Sequence, residues 1–297
     1  MSGKPTVSVI IPTYNRCALL MRALESALGQ TFQDIEVIVA DDGSTDGTGE
    51  MLRALQDPRV RYVHLSHGGA CAARNAGMAL AEGRYIAFLD SDDVWRKDKL
   101  KRQLSQLQVS GADVVCCAFL RHEAASPRQE RYPGEQEKEA RIDAQRLLGG
   151  NIVSTQTLLG RAECMRQVGF DERFPRMQDW DFAIRVAQTC HLRYFPEELV
   201  DTYIQPDSIS SKPALGLQAM RLLCQKYHRE LEASMPNTLV MLNALRSYAQ
   251  ACGESCARDY RKALSPRRSF MDNCRLVKGG VASLLRDRHH VRKASSR

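Results

Sequence analysis

The chain has 297 residues, of which 43% are hydrophobic and 26% charged, with a formal net charge of +7. That composition suits a soluble globular protein with one or two domains and a large core, and no apolar run reaches the ~20 residues a membrane-spanning helix needs. The basicity is confined to Leu215–Arg297, with 16 Lys/Arg against six Asp/Glu; it lacks the interleaved aromatics of a nucleic-acid-binding module, which excludes nucleic acid as a partner.

In chain order, Val7–Ile11 is too short for a signal-peptide core and no small-residue cleavage site follows it. It is expected to be the first buried strand of a cytoplasmic protein. Leu19, Leu20, Ala23, Leu24, Ala27 and Leu28 then fall at helical spacing, and Ile35–Ala40 predicts a second strand. Met51, Leu52 and Leu55 mark a helix before the strand Val60–Leu65. Ala72, Ala76 and Ala79 mark another before Tyr85–Leu89, and Leu100, Leu104 and Leu107 a fourth before Val114–Phe119. Strands without polar alternation, separated by helices, predict an α/β fold with a mostly parallel sheet flanked by helices.

Arg121–Arg141 is charged, contains Pro127 and Pro133, shows no period, and is expected to be an excursion loop over the site. Helix and strand signals resume at Ala144–Leu148, Thr155–Leu159 and Trp180–Ala187. From about Leu215 the pattern is helical and basic, with breaks at Pro236 and Ser265-Pro266, which divides the chain into 1–214 and 215–297. Cys71, Cys116, Cys117 and Cys164 lie in apolar or helix-like stretches and are expected to be reduced thiols that pack as small hydrophobes. Cys252 and Cys256 have no second pair at zinc spacing and are assigned to helix packing.

Open α/β sheets bind ligands beyond the carboxyl ends of their strands. Pro12-Thr13-Tyr14-Asn15 follows the first strand, Asp41-Asp42-Gly43-Ser44-Thr45-Asp46 the second, and Asp90-Ser91-Asp92-Asp93 the fourth. Asp90-Ser91-Asp92 offers hard oxygen ligands for a divalent cation, or a solvated turn. The same string could open a haloacid-dehalogenase-like phosphatase, but three strand–helix units precede it where that fold would place it first. A carboxylate of the Asp41-Asp42 pair can accept from the ring N–H of a uracil-like base. Ser44 or Asp46 could instead cap the following helix, a role that needs neither Asp41 nor Asp42.

Val7–Arg16, Asp41–Asp46, Gly68–Gly77 and Tyr85–Trp95 follow in order the pattern of glycosyltransferase family two, which the chain resembles over roughly its first 210 residues. The resemblance implies a GT-A fold and inverting sugar transfer from a nucleotide-diphosphate donor, with uridine the favoured base. It implies that Pro12, Thr13 and Tyr14 line the nucleotide pocket. Asp42, supported by Asp41, would contact the base, Asp90 with Ser91 the ribose side, and Asp92 a Mn²⁺ or Mg²⁺ ion bridging the diphosphate. Arg74, followed by Asn75, matches an Arg-Asn pair near the donor; the alternative is a surface cation on an alanine-rich helix. Asp179 matches the general base, preceded here by Gln178 where the family carries Glu. Asp181 suits a helix N-terminus. Gln205 stands where many relatives show histidine and is not assigned as a ligand.

The basic C-terminal region could lie on an anionic cytoplasmic leaflet, at roughly 1 kcal/mol per Lys/Arg near the surface, which would suit a glycan or lipid-linked glycan acceptor of bacterial envelope or exopolysaccharide synthesis. A solvated appendage or a dimer contact are the alternatives. A non-catalytic nucleotide-sugar binder would not need both Asp92 and Asp179. A nucleotidyltransferase would want a glycine-rich basic loop where Pro12–Arg16 stands.

Overall fold

The computed structural model describes residues 3–123, 129–205, 211–256 and 259. These form two compact units, one drawn from 1–144, 152–172 and 178–205, the other from 145–151, 173–177 and the residues after 205.

In the first unit, β1 (Val7–Thr13), α1 (Cys17–Leu28), β2 (Ile35–Asp41), α2 (Thr48–Ala54), β3 (Val60–His64), α3 (Ala70–Leu80) and β4 (Tyr85–Phe88) alternate as predicted. They are followed by β5 (Val94–Trp95), α4 (Lys99–Ser110), β6 (Val114–Glu123), β7 (Gln129–Tyr132) and β8 (Ala140–Ile142). After α5 (Ala144–Leu148) come β9 (Leu158–Arg161), α6 (Ala162–Val168), α7 (Gln178–Thr189) and β10 (Leu192–Ile204).

The sheet order is β3-β2-β1-β4-β9-β6-β10-β5, with β7 on β6 and β8 on β10. The first four strands are parallel; Val9 pairs with Val37 and Ile10 with Phe88. β1 and β2 are buried along their whole length, as an unbroken apolar run requires when helices cover both faces. α1 turns Leu20, Ala23, Leu24 and Ala27 into the core. α3 lies close on β1 because Gly77 has no side chain; a Cβ there would stand 2.5 Å from Ile10 Cγ2.

Past β4 the sheet reverses. β9 runs antiparallel to both β4 and β6, and β10 runs parallel to β6. The stretch expected as an excursion loop is partly strand: β6 continues to Glu123, β7 folds back on it, and β8 pairs with β10. The side chains Arg121–Glu123 and Gln129–Tyr132 are half-buried or exposed, so these strands carry no apolar signal.

The cysteines depart from expectation at one point. Cys71, Cys116 and Cys117 are buried free thiols, but Cys164 is disulfide-bonded to Cys190 at the end of α7, which ties α6 to α7. A separation of 26 residues with no partner motif left the pair unsignalled.

The second unit is helical, with α5, α8 (Pro213–Lys226), α9 (His228–Glu232) and α10 (Met235–Ala251). Leu217, Met220, Leu223, Met241, Leu242 and Leu245 are buried in it. Pro236 opens α10 rather than breaking it, the placement that suits its fixed φ and missing N–H. Ser265-Pro266 and most of the basic excess lie outside the described residues. No described helix is long and apolar enough to cross a membrane.

Candidate active site

The loops after β1 and β2 are stitched together by backbone polarity. Asp42 N–H donates to the Thr13 carbonyl at 2.9 Å. Asn15, at φ +50°, donates its N–H to Ser44 Oγ and accepts from Thr45 N–H on Oδ1, both at 2.8 Å. Asp46 receives Cys17 N–H at 3.0 Å and Thr48 N–H at 3.2 Å, so it holds the first amide of α2 from the position before the N-cap, which is Gly47. Pro12 and Thr13 are buried under this junction, and Thr13 Oγ1 has no hydrogen-bond partner among the described residues. Tyr14 is 45% exposed and rests against the His67 ring, centroids 4.4 Å apart.

The two carboxylates after β2 differ in environment. Asp41 is fully buried and accepts from Ser44 N–H at 2.9 Å, Tyr62 O–H at 2.8 Å and His64 Nδ1 at 3.4 Å. Burial alone would raise its pKa, but the donors around it, Ser44 first, hold it below the usual carboxylate value. Stabilisation from such a group is complete at and above its ordinary pKa of about 3.9 and is lost as pH falls towards the folded value. Asp41→Asn should therefore cost about 1–3 kcal/mol at neutral pH, because an amide faces donors with a donor. It should also flatten the fall of Tm below about pH 4; an acid limb of unchanged slope in thermal melts would remove this account.

Asp42 faces the third loop. Its two oxygens accept Gly68 N–H at 2.8 Å and Gly69 N–H at 2.9 Å, and His67 Nδ1 lies 2.8 Å from Oδ2. Gly69 takes φ +90°, a conformation that suits glycine, and this brings both amides onto one carboxylate ahead of α3.

α3 carries Arg74 inward. The side chain is 5% exposed and donates from Nη2 to Asp90 Oδ1 at 2.6 Å, which rules out a surface cation. Its Nε and Nη1 are buried with no partner among the described residues. Burial opposes its charge, yet the nearby acids, Asp90 foremost and Asp179 among them, raise its pKa above the ordinary value. Phe170 lies 5.3 Å from the guanidinium. It stacks on Phe182 of α7 at 4.2 Å and meets Phe88 of β4 edge-on at 5.2 Å; such pairs contribute about 0.5–1.5 kcal/mol each beyond area burial. This aromatic cluster fixes the start of α7, and with it Asp179, beside the end of β4. Asp179 Oδ1 accepts Trp180 N–H at 2.8 Å. Asp181 is instead buried and paired to Arg185 at 2.8 Å, holding α7 to its own second turn.

Between β4 and β5, Asp92 Oδ2 lies 2.7 Å from Arg16 Nη1, and the Asp92 carbonyl accepts from Arg22 Nη2 at 2.7 Å. Ser91 is buried. Asp93 is buried too, and burial plus the charges of Asp90 and Asp92 push its carboxyl well above the usual range. It accepts Tyr203 N–H from β10 at 3.2 Å, and the Tyr203 ring stacks on His122 at 4.8 Å while Arg22 lies 4.1 Å from its centroid. Gln205 follows β10 directly, and Pro206–Ser210 lie outside the described residues.

Among the described residues no three His, Cys, Asp or Glu side chains form a ready-made metal cage. Asp90 and Asp92, with side chains 27% and 24% exposed, fit instead the sparse carboxylate set by which Mg²⁺ or Mn²⁺ is held alongside waters and substrate phosphates. The structure thus brings Asp42, Asp90, Asp92 and Arg74 to one sheet edge, with Asp179 within electrostatic reach of Arg74. Arg16, Arg22, His67, Asp93 and Tyr203 were not picked out from the sequence. Arg16 and Asp93 close motifs that were read only for their other residues, and Arg22, His67 and Tyr203 carry no pattern of their own.

Residues 8–166 match the family model described as glycosyl transferase family 2. The succinoglycan biosynthesis protein ExoO of Rhizobium meliloti is 43% identical over 112 residues, 37% of this chain and 32% of ExoO. Across the first curated relatives the match spans between 17% and 37% of their length. The fold is that of S. aureus TarS 1-349 in complex with UDP-GlcNAc, at TM-score 0.64 and 18% identity over 95% of this chain and 92% of that one. It is also that of the mannosyltransferase PcManGT from Pyrobaculum calidifontis in complex with GDP-Man and Mn²⁺, at TM-score 0.58 and 19% identity over 95% and 81%.

Proposed function

The chain belongs to glycosyl transferase family 2, and from that premise we propose that it transfers a sugar, with inversion, from a uridine-diphosphate donor to a glycan or lipid-linked glycan hydroxyl during assembly of a bacterial envelope polysaccharide or exopolysaccharide. The observation that carries this proposal is the gathering of Asp42, Asp90, Asp92 and Arg74 at one sheet edge with Asp179 beside them. UDP-GlcNAc in TarS and GDP-Man with Mn²⁺ in PcManGT support the donor and cation classes. ExoO's part in succinoglycan biosynthesis supports the acceptor class.

Each residue has a distinct task. Tyr14 and Thr13 border the nucleotide, and Asp42 receives the N–H of its base on Oδ1, which keeps a lone pair beyond the Gly68 amide it holds, Oδ2 being engaged by Gly69 N–H and His67. Asp90, oriented by Arg74, faces the ribose. Asp92 would hold Mn²⁺ or Mg²⁺, whose positive charge offsets the charge developing on the departing diphosphate. Asp179 takes the acceptor's proton as its oxygen attacks the anomeric carbon. One base and no second nucleophilic carboxylate correspond to a single displacement, hence inversion. The region 1–214 carries this chemistry; 215–297, basic and partly helical, would rest against the anionic inner leaflet and bring a lipid-linked acceptor within reach.

A thermal-shift panel of nucleotide sugars with and without Mn²⁺ tests the proposal. A UDP-sugar with Mn²⁺ should stabilise most, by about 2.7 kcal/mol at a hundred times its Kd, and EDTA should remove most of that gain. If no nucleotide sugar stabilised the protein and it cleaved a simple phosphomonoester through a covalent intermediate on Asp90, the phosphatase alternative would take its place.

A further inference from the structure

Arg74 and Asn75 are neighbours on α3, about 100° apart around its axis, and they meet different partners. Arg74 reaches Asp90. Asn75 reaches Phe170, 95 residues further along the chain, and grips both polar groups of its backbone. Asn75 Oδ1 accepts Phe170 N–H at 2.8 Å, and Asn75 Nδ2 donates to the Phe170 carbonyl at 3.0 Å. Nδ2 also donates to Glu172 Oε1 at 3.0 Å. A carboxamide carries the acceptor and the donor that this grip needs side by side, whereas an ionised aspartate would set an oxygen against both the carbonyl and Glu172.

The gripped residue is the anchor of the helix that bears Asp179. Phe170 directly follows Gly169, which ends α6 at φ +57°. Asn75 holds its backbone, while its ring, 5% exposed, is held by Phe88, Phe182 and the Arg74 guanidinium. Phe182 stands on α7 about one turn beyond Asp179, so the stacked rings pass the position of Phe170 to that turn. Adjacent residues of α3 thus touch both sides of the reaction: Arg74 orients Asp90 on the donor side, and Asn75 sets the anchor on the Asp179 side.

We propose that Asn75 is a positioning residue for proton transfer: by fixing Phe170 it holds Asp179 where the attacking hydroxyl must lie, and it contributes nothing to donor affinity. This rests on the assignment of Asp179 as general base made above. Misplacing a reacting group by about 1 Å can cost about 10²-fold in rate. The nucleotide side keeps its own bonds, from Asp42 to Gly68 and Gly69, so the loss of Asn75 falls on turnover.

The test uses the full chain, the UDP-sugar that stabilises it most with Mn²⁺, and water in place of the acceptor; UDP release gives the rate and calorimetry the donor affinity. Asn75→Ala should lower the rate about 10–100-fold and leave donor affinity within about twofold of wild type. Asn75→Asp keeps the size of the side chain and should also lose rate with donor affinity intact, which keeps the test open should Asn75→Ala fail to fold. An unchanged rate in both variants overturns the proposal, as does a loss of donor affinity that matches the loss of rate. A double-mutant cycle with Asp179→Asn locates the effect, because residues that act through one group are not additive. Adding Asn75→Ala to Asp179→Asn should change the residual rate by less than about twofold; full multiplication of the two losses overturns the link. Asp179→Asn alone separates the two levels. If it releases UDP at the wild-type rate, the base assignment itself fails; if it is slow while both Asn75 variants match wild type, only the positioning role fails.

Discussion

Replacing Asp179 with asparagine is expected to lower kcat by about 10²–10⁴-fold, the contribution of a positioned general base, equivalent to about 3–5 kcal/mol of barrier. The substitution is nearly isosteric and keeps an oxygen to accept Trp180 N–H, so the start of α7 keeps its local hydrogen bond. It removes the capacity to take a proton and, with the charge, one of the acids that act on Arg74. The Phe88–Phe170–Phe182 cluster that positions α7 is untouched, and UDP-sugar affinity should stay within about twofold of wild type, as for changes outside a binding contact. Steady-state kinetics with a competent acceptor, alongside donor-binding calorimetry, decide the matter. Turnover at the wild-type rate would end the base assignment.

Asp92→Asn is expected to act on the other half of the reaction. Its neutral amide is a poor ligand for a hard cation, and the Mn²⁺-dependent part of donor affinity should fall by at least about 10–100-fold, a loss that even an outer-shell partner's removal can cause. Binding of the nucleoside without its phosphates should be unaffected, because Asp42 and the Gly68-Gly69 loop are held by other bonds. Comparing uridine with UDP, each with and without Mn²⁺, isolates the effect. Equal losses for both ligands would mean that the variant had damaged the pocket as a whole.

Much of the candidate site is legible in the sequence because buried parallel strands and their polar exits leave a strong trace. β1, β2 and β4 are apolar without alternation, Asp41 ends β2 with Asp42 after it, and Asp90 and Asp92 follow β4, so strands and candidate residues share one signal. The convergence of those exits then followed from the rule for open sheets. The reversed half of the sheet left less. β9 has four residues, and its Gly160 is needed because a Cβ there would lie 2.7 Å from Val114 Cγ2, a constraint that only the packing reveals. Arg74 is singled out by the resemblance, and the surface-cation alternative fails because Asp90 and Phe170 draw it inside. Two arginines are hidden for a different reason. Arg16 and Arg22 acquire their significance from Asp92, some 70 residues later. The Cys164–Cys190 bond was likewise invisible, since spacing alone does not pair cysteines.

The placement of β10 has a consequence for how the protein is made. Last of the described strands to leave the ribosome, it lies inside the sheet between β6 and β5 and also receives β8. A nascent chain can assemble β3, β2, β1 and β4 from neighbouring segments soon after they emerge, but β6 keeps an unpaired edge until Leu192–Ile204 has been translated. Nascent chains arrested before that point would expose a long, partly apolar ribbon, the kind of edge that recruits other strands. Truncations ending short of residue 204 should therefore aggregate rather than fold as a smaller version of the protein.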